Sequence, residues 1–411
     1  MVSKLERGLF KGLTSNVIIL GLVSLFTDLS SQMVFPLLPL FLTTALGANA
    51  TIVGLVEGSA ESTASLLKVF SGYWSDKIRK RKPFVLGGYG ISALMKPLFA
   101  FAYIWQNVVV IRVIERIGKG IRTAPRDAIV AESCDSNVKG KAYGIQRAMD
   151  GVGSILGAIM AFVLFPLYGF RNTFLISSIP AFIAVGLIFF VKEVKEKESK
   201  ESKESKEIHT NNRRKEVKSH KSLKISFRGL PKKLRYFLLI SVIFTLGNVG
   251  YAFLLLRAID IGFNVSMAIF LYVLFYIVYT VFIVPCGIIS DRIGRGPVLL
   301  TGYFLFGLLC LGLVVVSSLP GIILVFVIYG VFFALTDGVQ RAFVVDLSPS
   351  HLKGTSLGTF HTSIGLTALP AGIIAGSLWT SLSPEATFLF GSATSFVAGF
   401  LFLWLFYSYK E

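Results

Sequence analysis

Cysteine is scarce in this 411-residue chain, and so is charge. The three cysteines, Cys134, Cys286 and Cys310, are odd in number and far apart, which excludes a disulfide framework and any metal-ligand spacing. Only 16% of the residues are charged, where a soluble domain carries about a quarter. No Walker-type G-x-x-x-x-G-K-[ST] loop occurs, so ATP-driven work by this chain alone is not expected. Zinc-protease, serine-hydrolase and haem motifs are also missing. The glycine-containing stretches "GLVEGSAES" and "GGYG" read as small-residue packing in apolar surroundings. Neither an enzymatic activity nor a cofactor or metal is expected.

What the chain has is hydrophobic length. Apolar residues make up 54% of it, and mean hydropathy is +0.70. Runs such as "FLLISVIFTLGNVGYAFLLL" reach the roughly 20 apolar residues that cross a bilayer as a helix. The composition therefore predicts an all-α integral membrane protein with the lipid bilayer as its surroundings. The net charge of +18 would suggest nucleic acid in a soluble protein, but the basic residues fall between the hydrophobic runs, where topology accounts for them. The first apolar run is too long for a signal peptide and lacks a cleavage site, so it reads as a retained first helix.

Polar and Gly/Pro-rich gaps divide the chain into twelve spans. The first six are Asn16–Leu46, Thr51–Tyr73, Phe84–Tyr103, Val108–Ala131, Ala142–Leu167 and Thr173–Val191. The second six are Leu234–Ile259, Ser266–Ile289, Val298–Ser317, Ile322–Leu347, Leu357–Trp379 and Ala386–Tyr409. Residues 1–192 and 233–411 then form two six-helix bundles, joined by a Lys/Glu-rich linker over 193–232 whose first part suits a solvated helical extension. Lysine and arginine gather at the N-terminus, in "DKIRKRK" after span two, in the linker and after span eight, whereas the opposite gaps hold a single arginine. That asymmetry predicts cytoplasmic termini and linker in the cell membrane.

The two halves repeat one another. "SGYWSDKIRKRKP" echoes "CGIISDRIGRGP", and "IVAESCDSNVKGKAYG" echoes "FVVDLSPSHLKGTSLG", at an offset near 214 residues. Gly72 and Asp76 thereby match Gly287 and Asp291, while Glu132 and Gly144 match Asp346 and Gly358. The loop pattern G-x-x-x-D-[RK]-x-G-[RK] resembles that of the major facilitator superfamily, and the resemblance extends over nearly the whole chain. Gly287, Asp291, Arg292, Gly294 and Arg295 match it in the second half; Gly72, Asp76, Lys77 and Lys80 keep it in the first, with Arg79 where the second glycine belongs. The resemblance implies twelve transmembrane helices in two pseudo-symmetric bundles, a small-molecule substrate between them, and a cytoplasmic latch at the loops. A monomer is expected, since one chain supplies both halves.

Span four sets the central question. Its "RVIERIGKGIRTAPRD" carries a cation every few residues in an apolar setting. Arg112, Glu115, Gly118 and Gly120 resemble the family's fourth-helix motif, while Arg116, Lys119, Arg122 and Arg126 are additional cations. On a helix, Arg112, Glu115, Arg116, Lys119 and Arg126 share one face. Each cation at mid-span costs about 2.5–3.5 kcal/mol on insertion scales, so this face requires a wet cavity or carboxylate partners. Candidate partners are Asp28, Glu57, Glu61 and Asp150, with Glu115 and Asp127 on the same helix.

Lys68, Lys96, Arg147, Asp337, Arg341 and His361 also lie at membrane depth. The pathway for substrate or protons is expected to comprise Asp28, Arg112, Glu115, Arg116, Lys119, Arg122, Arg126, Asp127, Arg147 and Asp150. Asp28 is either a proton-exchanging carboxylate or a partner for Arg116 or Arg147. Span five keeps the Gly153 and Gly157 of an exporter-like pattern but has Ala158 in place of its proline. These features point to a secondary transporter, proton-coupled, with efflux antiport as the first reading. An organic-anion or phosphorylated-metabolite carrier is the alternative, and a receptor or lipid-moving protein is the reading from another class.

Overall fold

The structure, a computed structural model, describes residues 13–78, 80–134, 138–193, 229–349 and 352–408. Residues 194–228 of the charged linker and the basic N-terminal residues lie outside them, as does Arg79. All regular structure among the described residues is helical. The helices are α1 (Ser15–Val34), α2 (Ala50–Ile78), α3 (Lys82–Leu98), α4 (Trp105–Glu132), α5 (Lys139–Ile188), α6 (Lys232–Gly247), α7 (Tyr251–Asp260), α8 (Val265–Ile293), α9 (Arg295–Val315), α10 (Leu319–Asp346), α11 (Lys353–Ser381) and α12 (Pro384–Ser408).

These helices reproduce the twelve expected spans with three local departures. Spans five and six are both inside α5, which folds back at Gly169, where φ is 68° and ψ −176°. That backbone region is essentially closed to side chains with a Cβ. Span seven is divided between α6 and α7, because the backbone leaves the helical region at Asn248. Pro36 and Pro39 interrupt span one after α1, and the chain continues through a short helix, Leu37–Leu40, and a π turn, Phe41–Ala45.

Nine described helical segments are long and apolar enough to cross a membrane, one of them being the doubled α5. The helices α2 and α4 are equally long but fall outside that group. Their apolar runs are broken by Glu57, Glu61 and Lys68 on α2 and by the cations of α4. The helix α2 packs on α4 within its bundle and on α11 across the molecule, and α4 also packs on α3.

The two bundles differ inside. The second is filled by aromatic rings, with Phe237, Phe244, Tyr303, Phe306 and Phe332 all buried. The Phe244 and Tyr303 rings stack at 4.1 Å. The first bundle buries Lys96, Arg112, Glu115, Arg116 and Arg122 instead. Polarity is concentrated on one side of the interface.

Candidate functional site

Helix α4 builds the first wall. Arg112 is fully buried, with its guanidinium 3.1 Å from the Glu57 carboxylate on α2 and 3.3 Å from Glu115 one turn along. It also lies over the Phe35 ring, 4.3 Å from its centre. Arg116 shares both neighbours, its Nε being 3.5 Å from Glu115 and its guanidinium 4.8 Å above the same ring. Two like charges are thus held side by side by one carboxylate and one aromatic face, an attraction that strengthens when water is excluded. Gly118 and Gly120 occupy the contacts behind this face: a Cβ on Gly118 would lie 2.6 Å from Ser92 Oγ, and one on Gly120 2.6 Å from Leu67 Cβ. Those positions let α3 and α2 close onto α4.

The other cations of the expected pathway divide. Arg122 turns away into the α3 interface, where it donates to Ser92 Oγ and lies 4.3 Å over the Tyr89 ring. The structure therefore does not bring it together with the rest of the stripe. Its projection falls at the edge of that face, and the Ser92 hydroxyl offers a buried partner. Arg126 binds the Asp127 carboxylate beside it at 2.9 Å and Ser24 Oγ at 3.0 Å. Arg147 and Asp150, 3.5 Å apart on α5, form a pair whose arginine side chain is 63% exposed. Lys96 is buried on α3 and is held by hydroxyls, 2.7 Å from Ser30 Oγ and 2.9 Å from Ser31 Oγ.

Besides Lys96 and Arg122, which serine hydroxyls hold, four charged groups at mid-membrane make no ion pair among the described residues: Asp28, Glu61, Lys68 and Lys119. Neither Arg116 nor Arg147 reaches Asp28. The charges acting on Asp28 are those of Asp150, Lys119, Arg126 and Arg122, and those acting on Glu61 are of Lys119, Arg116 and Arg112. Glu61 is nevertheless solvent-exposed. An exposed carboxylate surrounded by its own bundle's cations lines an interior space and does not face lipid.

The second bundle supplies the opposite wall. On α8, Tyr272 donates to Gln32 Oε1 of α1 at 2.7 Å, and Gln32 donates to the Tyr276 hydroxyl at 2.5 Å. This bridge roofs the space one helical turn beyond Asp28. Below it, Tyr279 donates to Asp337 at 3.1 Å, and Asp337 pairs with Arg341 at 2.6 Å. His361 is half-buried on α11, with its ring edge-on to Phe360. The Tyr-rich stretch of span eight therefore faces the interior, a placement that periodicity left open.

Hydrogen bonds between described residues of the two halves are confined to the middle and one end. Besides the Gln32 bridge, Ser62 Oγ donates to the Gly365 carbonyl and accepts from Leu369 N at 3.2 Å, and Thr51 meets Thr380 at 3.1 Å. Along this seam α2 and α11 touch backbone to backbone. A Cβ on Gly54 would overlap the Gly372 carbonyl, and one on Gly58 would lie 2.7 Å from the Ala368 carbonyl. The halves are closed together at that end, and no hydrogen bond between described residues joins them at the end carrying the loop motifs.

At the end carrying the loop motifs each half closes on itself. Arg81 bridges Asp76 at 3.0 Å and Glu132 at 2.7 Å, while Arg295 bridges Asp291 at 3.7 Å and Asp346 at 2.5 Å. The expected latch cations Lys77, Lys80 and Arg292 are exposed and form no ion pair among the described residues. Gly72 approaches Ala124, whereas a Cβ on Gly287 would meet nothing, so close packing explains only the first copy. Gly294 has φ 94°, which accounts for a glycine there. Sequence reasoning missed Arg81 as the bridging residue; its match with Arg295 at the repeat offset was the available signal. Phe35 gave no such signal.

Two comparisons bear on this geometry. The sequence matches the Major Facilitator Superfamily over residues 20–258 and 235–411. It is 41% identical over 401 residues to "Uncharacterized MFS-type transporter MJ1317" of Methanocaldococcus jannaschii, covering 96% of this chain and 95% of that protein. Among solved structures, a POT family transporter in complex with 5-aminolevulinic acid superposes with a TM-score of 0.79 at 12% identity, over 98% of each chain. A point mutant of the nucleoside transporter NupG does so with a TM-score of 0.77 at 16% identity, over 95% of this chain and 100% of that one. With two bundles, a roofed interior between them and this match along its length, the chain belongs to the Major Facilitator Superfamily and is a membrane transporter of that type.

Proposed function

We propose that the protein is a proton-coupled secondary transporter of the cell membrane, exporting a small solute by antiport through alternating access. The carrying observation is Asp28: a half-buried carboxylate at mid-span that makes no ion pair among the described residues. A half-buried acid flanked by movable cations is suited to take up a proton in one state and release it in the other. Lysine and arginine asymmetry supports cytoplasmic termini, and the sealed end is then external, so the described conformation faces inward. The close fit of Gly153 and Gly157 against the α1 backbone at Leu25 and Leu29 supports the exporter-like reading of span five. Carriage of an organic anion or a phosphorylated metabolite is the second reading, because Arg112 and Arg126 are paired with carboxylates and Arg122 donates to Ser92, although Arg116 keeps two buried nitrogens without a hydrogen-bond partner among the described residues.

Reconstitution tests this. Proteoliposomes loaded with a pH-sensitive dye and given an imposed pH gradient should show solute-dependent proton movement when a panel of small organic ions is added. Asp28→Asn should abolish that movement while leaving the protein folded. Solute exchange that proceeds unchanged in Asp28→Asn would remove proton coupling through this residue.

A further inference from the structure

We infer that the central cavity takes an amphoteric aromatic solute, one carrying an ammonium and a carboxylate on a flat apolar body; this rests on the transport reading above. The inference comes from which charges remain available. Arg112, Arg126 and Arg341 are engaged by carboxylates, while Arg116 touches Glu115 and the Phe35 ring but keeps two buried guanidinium nitrogens without a hydrogen-bond partner among the described residues. The lysines Lys68 and Lys119 and the acids Asp28 and Glu61 are not paired. These four groups sum to no net charge.

That balance selects the ligand. An organic anion bound at the two lysines would be repelled by Glu61 and Asp28, and an organic cation at the acids would meet the lysines. A solute bearing both signs satisfies both sets. With Asp28 reserved for the proton, Glu61 is left for the ammonium and Lys119, with Lys68, for the carboxylate. Glu61 and Lys68 are seven residues apart on one face of α2, a span of about 10 Å along the helix, and Lys119 stands on the α4 face that carries Arg112 and Arg116, in the helix that packs on α2.

The facing wall is aromatic and partly open. Tyr276, Tyr279 and Phe333 are only half-buried. Tyr276 meets Tyr279 edge to face at 88°, and Tyr279 meets Phe333 at 84°. Such rings accept an aromatic body by further edge or offset contacts.

The test uses four phenyl compounds and the full-length protein in nanodiscs. L-phenylalanine and 4-(2-aminoethyl)benzoate carry both charges at two spacings, 2-phenylethylamine carries only the ammonium, and 3-phenylpropionate only the carboxylate. At least one of the two amphoteric compounds should bind about tenfold or more tightly than either single ion, as expected for one added charge-assisted contact. Lys119→Gln should bring that compound to the affinity of phenylethylamine, with Lys68→Gln moving it in the same direction. Glu61→Gln should bring it to that of phenylpropionate. Melting temperatures without ligand show that each variant is folded. Equal binding by the single ions, no binding by any of the four, or a preference that survives both Lys119→Gln and Glu61→Gln would overturn the inference. Asp28-dependent proton movement that persists in that case leaves the transport reading intact. Amphoteric binding without proton movement would instead remove the coupling alone.

Discussion

Replacing Gly54 by alanine tests the seal between the two halves. Gly54 and Gly372 face each other so closely that a methyl group on either would overlap the other's carbonyl. Gly58 repeats the contact one turn away, where a Cβ would come within 2.7 Å of the Ala368 carbonyl. Neither backbone can give way without moving its helix, so the added methyl forces α2 and α11 apart. Overpacking of this kind costs about 1–3 kcal/mol. The cost falls on the sealed arrangement and not on one in which these helices have separated. Converted into populations, that penalty shifts the equilibrium between the two by roughly 5- to 150-fold.

Spin labels at Ala45 and Leu382, in the connections flanking the Thr51–Thr380 contact, report the separation by pulsed electron resonance. Gly54→Ala should add or enlarge a longer-distance population. Gly144→Ala on α5, where a Cβ meets no atom within 4 Å, should leave the distribution unchanged. A Gly54→Ala distribution identical to that of Gly144→Ala would refute the claim that this backbone contact holds the seal.

Other expectations follow from single contacts. Glu57→Gln removes one of the two carboxylates around fully buried Arg112. Stripping a buried ion of its partner costs about 3–5 kcal/mol; because Glu115 remains and Glu57 is partly solvated, a loss of about 1–3 kcal/mol is expected, read as a lower melting temperature in detergent, and an unchanged melting temperature would show that Glu115 alone suffices. Gly169→Ala forces a Cβ into the backbone region at φ 68° and ψ −176°. It should destabilise the turn between spans five and six by about 1–3 kcal/mol, seen as reduced yield of folded protein, while Gly186→Ala, which meets no neighbour within 4 Å, serves as the control.

The spans were legible because membrane helices must bury their backbone polar groups internally, which leaves a long apolar run as a local signature. The repeat was legible because duplicated loops keep residues at a nearly constant offset, 215 residues between Asp76 and Asp291 and 214 between Arg81 and Arg295. Even the face of α4 could be read, since helical periodicity fixes which side chains project together. The partners could not be read in the same way. Glu57, Phe35 and Ser92 come from three different parts of the chain, and whether each reaches an α4 arginine depends on distances between helix axes.

Those distances are set by small residues far apart in sequence, such as Gly54 against Gly372 and Gly118 against Ser92. Sequence alone thus determined that costly charges gather within the membrane and on which helix face they stand. Only the tertiary structure decided which of them are consumed in ion pairs and which, such as Asp28, Glu61, Lys68 and Lys119, make none among the described residues. The reason is physical: projection from a helix is a local property of the backbone, whereas pairing across about 3–4 Å requires the packing of the whole bundle.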